Sequence, residues 1–237
     1  MIVGPWINAG AVLFGALAGA ALSTRIPERV RSAMPLTFGA ASMAMGVVMI
    51  ANVKHMPVMV LAAILGALLG EIIWLERGIG RVGASAKAIV ERVAPAPKGI
   101  SHDEFLEKFV AILVLFAASG TGIFGAMNEG MTGDATILIA KSFLDLFTAA
   151  IFAITLGYSV ATIAVVLLAV QLALAYGATL ILPMTTPAMI DDFKAVGGLL
   201  MLATGLRICG IKSFPVANML PALILAMPIS ALWVRFF

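Results

Sequence analysis

Long apolar runs, each closed by a short polar turn, make up most of the chain, and their lengths assign the elements. A helix crossing a bilayer needs about 20 predominantly apolar residues, and runs of that order predict about eight spans here. They cover residues 2–22, Leu36–Val53, a third run ending at Trp74, Phe105–Met127, Ala135–Leu156, Ser159–Leu182, Val196–Gly210 and Phe214–Phe236. Residues 77–100 break the pattern: Ile79, Val82, Ala86, Ile89, Val90 and Val93 recur at helical spacing opposite Arg81, Lys87 and Arg92. That spacing predicts a short amphipathic helix on the cytoplasmic membrane surface, broken by Pro95 and Pro97. Ser101 to Glu104 then has the S-x-x-E form of a capping box opening the next helix.

Arg25, Arg29 and Arg31 outweigh Glu28 in the first loop. An arginine excess marks the cytoplasmic side, so the N-terminus is expected outside, and an even number of spans returns the C-terminus outside as well. Gly15 and Gly19, and again Gly66 and Gly70, have the four-residue spacing that lets a second helix approach closely. Shifted by about 158 positions, the chain lines up with itself: Val53-Lys54-His55-Met56-Pro57-Val58 falls on Ile211-Lys212-Ser213-Phe214-Pro215-Val216, with Gly39 on Gly197 and Met43 on Met201. The first of these turns is expected outside and the second inside, which makes the repeat inverted. The expected fold is an all-α polytopic membrane protein, one membrane domain over 1–237, with spans 1–3 repeated as spans 6–8 around a central pair, spans 4–5.

Composition agrees, with 62% hydrophobic and 11% charged residues and a mean hydropathy of +1.11. Such a chain has too little polar surface to cover a water-soluble particle. Its net charge of +3 lies in short loops, which points to anionic lipid rather than nucleic acid as a partner. Cys209 is the single cysteine and forms no intramolecular disulfide. His102, Asp103 and Glu104 are metal-ligating types, but consecutive helical residues point in different directions. No metal or cofactor is expected.

Candidate chemistry gathers between Ala118 and Asp145, ASGTGIFGAMNEGMTGDATILIAKSFLD. Glycines at 120, 122, 125, 130 and 133 alternate with Ser119, Thr121, Asn128, Glu129 and Asp134. They fit two readings, close helix packing or a helix unwound at membrane depth with backbone groups open to a cavity. On the fifth span Asp134, Lys141, Asp145, Thr148 and Thr155 project within roughly 80° of one another. An unpaired charge there costs about 2.5–3.5 kcal/mol, so the stripe must face protein or water. Lys141 and Asp145, four residues apart, form either a fixed structural pair or part of a solute or ion pathway. The expected pathway is Asp134, Lys141 and Asp145, with Ser119, Thr121, Asn128 and Glu129 from the end of span 4. Arg207, Asn218 and Glu71 are secondary candidates, and Arg207 and Glu71 lie where a long side chain can snorkel to the interface.

GPWINAGAVLFGALAGA near the start, GTGIFGAMNEGMTGDATILIAKSFLD in the middle, and AVGGLLMLATGLRICGIK with NMLPALILAMP near the end carry a further signal. On these stretches the chain resembles the YqgA-type family of bacterial inner-membrane proteins, a family of unknown function. The resemblance implies an inner-membrane location and brings no substrate or reaction. Three functions then compete. A small-solute or ion transporter or channel leads, Lys141 holding an anionic group and a carboxylate coupling it to protons. A non-transporting structural or lipid-interacting scaffold is the alternative, and the small-residue faces also allow homo-oligomers. An enzyme is not expected: Ser119 with Lys141, or Gly133-Asp134, is a poor catalytic signature with neither histidine at membrane depth.

Overall fold

The computed structural model describes residues 1–22, 27–85 and 101–236, and every regular element among them is helical. In chain order these are α1 (Gly4–Ala21), α2 (Glu28–Ala51), α3 (Met56–Ile72), α4 (Leu75–Ser85) and α5 (His102–Ala117). There follow α6 (Gly120–Thr132), α7 (Thr136–Leu156), α8 (Ile163–Ile181), α9 (Pro187–Ile208) and α10 (Pro221–Phe236). Short 3-10 turns, Gly157–Thr162, Leu182–Met184 and Val216–Met219, precede α8, α9 and α10. Among the described residues, five helical segments are long and apolar enough to cross a bilayer: Gly4–Ala21, Glu28–Ala51, Asp103–Thr132, Thr136–Met184 and Val216–Phe236. The pair Met56–Ile72 and Leu75–Val82 qualifies only jointly, bent by 54°.

The chain forms two compact units. The first holds residues 1–34 and 78–177. In it α1 runs parallel to α7, Gly15 lying on the carbonyl of Leu146 and Gly19 on that of Ala150. α6 is antiparallel to α7, with Gly122 facing Lys141 and Gly125 facing Leu138, and its Gly130 rests on Ala175 of α8. Val12 and Ala16 of α1, Phe105, Phe109 and Phe116 of α5, Ala149 and Leu156 of α7 and Leu167 of α8 fill an apolar core.

The second unit holds residues 35–77 and 178–237. There α2 crosses α9 antiparallel through reciprocal glycines, Gly39 against Gly205 and Gly46 against Gly198. α3 meets the α10 segment in the same manner, Gly66 on Ala222 and Gly70 on Asn218. The small-residue spacings in the sequence thus mark places where backbone touches backbone, the contact that drives helix association where lipid removes the hydrophobic incentive.

Several boundaries depart from the sequence pattern. α2 begins at Glu28, with Pro35 inside it. α9 begins at Pro187, where a loop was expected, because Thr186 caps it by accepting a hydrogen bond from the Met189 N–H at 3.3 Å. The last apolar run is interrupted: a 3-10 turn at Val216–Met219 carries Asn218, although Pro228 sits within α10 without ending it. Ser101 caps α5 by accepting from the Glu104 N–H. Of the amphipathic segment, α4 carries the beginning; Arg25 and residues 86–100 lie outside the described residues.

Candidate functional site

α5 and α6 share one 30-residue apolar stretch, and it is interrupted near its middle. The α5 ladder ends with Ala118 N–H donating to the Val114 carbonyl at 2.9 Å. Ser119 then turns extended and its Oγ accepts from Gly122 N–H at 3.1 Å, starting a new helix. Serine caps well and glycine propagates a helix poorly, so Ser119-Gly120-Thr121-Gly122 favours a restart over a continuous ladder. The glycines divide between a helix break and close packing. Gly120 and Gly122 stand at the break, while Gly125 and Gly130 pack against neighbouring helices.

Lys141 of α7 reaches this break. Its Cε lies 3.1 Å from where a Cβ on Gly122 would sit, and its Nζ is 5.8 Å from the centroid of the Phe116 ring. Nζ is ion-paired with Asp145, the two side chains being 5% and 11% exposed. Beside them Gln171 of α8 is 1% exposed, and both of its amide atoms lack a hydrogen-bond partner. Its Nε2 lies 3.4 Å from the Gly122 Cβ position. Asn8 of α1 is fully buried and equally unpartnered, on the stretch between Gly4, which meets Leu138, and Gly15, which meets Leu146. An unsatisfied buried polar group costs about 1–3 kcal/mol, so the unpartnered Gln171 amide beside the ion pair calls for a functional explanation.

The remaining predicted residues divide. Thr121 is buried in the first turn of α6. Asn128 is buried, its Nδ2 donating to the Asp134 carbonyl at 3.2 Å while its Oδ1 has no partner. Asp134 does not join Lys141 and Asp145. α7 begins only at Thr136, so the helical projection does not extend back to Asp134, which is exposed in the turn with Oδ1 accepting from Thr136 N–H at 2.9 Å. Thr155 is exposed and Thr148 half-buried, so only the centre of the stripe is enclosed.

Glu129 is buried but committed elsewhere. Its carboxylate accepts from Val3 N–H at 2.7 Å and from Gly4 N–H at 3.0 Å, capping the N-terminus of α1. These are donors a helix start leaves unpaired, and a carboxylate there also complements the helix dipole. Glu129→Ala is expected to cost about 1–3 kcal/mol for each N–H stranded. Denaturation of the purified protein checks this, and Glu129→Gln, which keeps an acceptor, should recover a large part of the loss.

In the second unit, Arg207 and Asn218 meet at Glu76 rather than at Glu71. Arg207 Nη1 donates to Glu76 Oε1 at 2.7 Å, Ala217 N–H donates to Oε2 at 3.2 Å, and Glu76 N–H donates to Asn218 Oδ1 at 2.7 Å. The network secures the bend after α3, where Trp74 has a φ of 54° and Arg77 stacks 3.9 Å from its ring. Glu71 is exposed and makes no ion pair among the described residues.

Asp192 was not singled out in the sequence. It is fully buried and accepts from His55 N–H at 2.7 Å, from His55 Nδ1 at 2.8 Å and from Ser230 Oγ at 2.6 Å, joining the α2–α3 turn to α9 and α10. With Asp191 and Lys194 beside it in a run read as a loop, nothing in the sequence set Asp192 apart.

Apolar helices packed through glycine, with charge and amides buried inside them, define an all-helical membrane protein. The pattern of a family described as a protein of unknown function, DUF554, matches residues 3–231, and the chain belongs to that family. It is 58% identical over 237 residues, the whole of both chains, to the uncharacterized protein YqgA of Escherichia coli (strain K12). It is also 26% identical over 228 residues to the uncharacterized membrane protein YdfK of Bacillus subtilis (strain 168), covering 94% of this chain and 93% of that one. No solved structure matches it.

Proposed function

We propose that the protein is a small-solute or ion transporter or channel of the bacterial inner membrane, with its pathway at the break between α5 and α6. The observation that carries this reading is the juxtaposition of that break with the enclosed Lys141–Asp145 pair and the unpartnered amide of Gln171. Discontinuous helices with backbone groups turned to a buried site are how many transporters hold solutes near the bilayer midplane.

Helix directions support an eight-span topology with both termini on one side, which the arginine-rich first loop makes the outside. The 49 residues of Thr136–Met184 would stretch ~74 Å as one helix, more than twice the ~30 Å hydrocarbon core, so α7 and α8 are two spans. Counting α5 and α6 as one span, α1 and α7 are the first and fifth and run parallel, while α2 and α9 are the second and seventh and run antiparallel. The inverted repeat is supported by element bounds: a shift of 158 carries Gly4–Ala21 to 162–179 beside α8 at Ile163–Ile181, and Glu28–Ala51 to 186–209 beside α9 at Pro187–Ile208.

The test is solute and ion flux in proteoliposomes of the full chain. Lys141→Ala and Asp145→Asn should each change flux per folded molecule. A scaffold without transport has a dry interior instead. In a Cys209→Ser background, a water-borne maleimide should label cysteine introduced at 145; no labelling, with flux equal in all variants, would refute the reading.

A further inference from the structure

We infer that the species held at the α5–α6 break is a small monovalent anion, bound by the first-turn N–H groups of α6 together with Lys141 and Gln171. This rests on the transport reading above and names its substrate class.

Two features favour a negative ligand, and a third can adapt to it. The first is backbone. Between the last bond of α5, from Ala118 N–H, and the first of α6, from Ile123 N–H to the Ser119 carbonyl at 3.0 Å, the chain restarts its ladder, and only Gly122 N–H of the first turn has the Ser119 hydroxyl as acceptor. Gly120 and Thr121 N–H thus open a thirteen-residue helix whose N-terminus carries roughly half a positive charge.

The second is Lys141. Its stem lies against Gly122, which puts a cation beside the positive end of a helix. Asp145 offsets the ammonium, and the helix end is left as residual positive potential in a medium where charges are weakly screened. The carbonyls that end α5 would favour a cation by themselves, but the side chains reaching the break are an ammonium and a carboxamide, and the nearby carboxylate is already held by that ammonium.

The third is Gln171. Both of its amide atoms are unpartnered at 1% exposure, and Nε2 lies 3.4 Å from the Gly122 Cβ position. A carboxamide at that place offers N–H donors to whatever sits against the glycine. Size follows from the same contacts: with Lys141 Cε at 3.1 Å and Gln171 Nε2 at 3.4 Å, a methyl group on Gly122 would already be tight. Ser119 Oγ is closer still, at 2.8 Å, so a ligand enters only by displacing one of these side chains, which limits it to a small ion such as chloride, nitrate or formate and excludes bulky solutes.

The experiment uses purified full-length protein and two readouts, thermal unfolding in detergent and anion flux in proteoliposomes. The probes are sodium chloride, nitrate and formate at constant sodium, with choline replacing sodium as the cation control. Saturable stabilisation by at least one of the three anions, unchanged by choline, is expected. Gln171→Glu places a fixed negative charge in the site and should weaken that response at least tenfold, whereas Lys141→Arg keeps the cation and retains it. Stabilisation that follows the cation, or that is equal in Gln171→Glu, overturns the anion site; flux of another species would then leave the transport reading standing. Saturable binding lost in Gln171→Glu but with no anion flux supports the site and overturns transport.

Discussion

Lys141→Met is expected to destabilise the folded protein by about 3–5 kcal/mol, because it strands Asp145 as an unpaired buried charge. Asp145→Leu should do the same by stranding the ammonium. The double variant, Lys141→Met with Asp145→Leu, is expected to recover most of that loss, since a well-packed apolar pair replaces an ion pair with little net change. A double-mutant cycle on purified protein, by reversible unfolding in detergent, measures the coupling. Transport should not recover with stability: a double variant that is stable yet moves solute at the original rate would make the pair a structural tether only. The cycle therefore separates what the pair does for the fold from what it does for the site.

Gly19→Leu, and equally Gly15→Leu, is expected to prevent α1 from docking. A Cβ at either position meets the backbone of α7, at Ala150 and Leu146 respectively, and backbone cannot swing aside as a side chain can. Overpacking of a core costs about 1–3 kcal/mol where side chains can yield, and more is expected here. The control is Gly10→Leu, on the same helix, where the added carbon meets nothing within 4 Å. Cysteine crosslinking between α1 and α7 in membranes checks the pair: crosslinks should survive Gly10→Leu and be lost in Gly19→Leu. Equal crosslinking in both would show that the close contact is not needed for assembly.

Much of the architecture was legible because lipid leaves few choices. Apolar runs of span length had to be helices, since a backbone without water must satisfy its own hydrogen bonds. Small residues four apart had to mark close approach, and Gly15, Gly19, Gly66 and Gly70 do so. Lys141 and Asp145 were legible as a pair because their spacing alone puts them on one helix face. Less could be read where a charged residue has a distant partner. Asp192 looked like a loop acid, since neither His55 nor Ser230 is near it in sequence. Arg207 found Glu76, not Glu71, because the bend at Trp74 carries Glu76 to Asn218 and the end of α9.

The sequence by itself determined the helical class, the membrane setting, the packing glycines and the buried pair, all properties of local spacing and composition. Tertiary structure decided which polar residues belong to the site. It moved Asp134 into an exposed turn, assigned Glu129 to the start of α1, and brought Gln171 to Gly122 from a helix on which it was a lone amide. The physical reason is that burying a polar atom is costly unless something meets it. What meets it is set by helix register across the interior, a quantity that no single stretch of the chain contains.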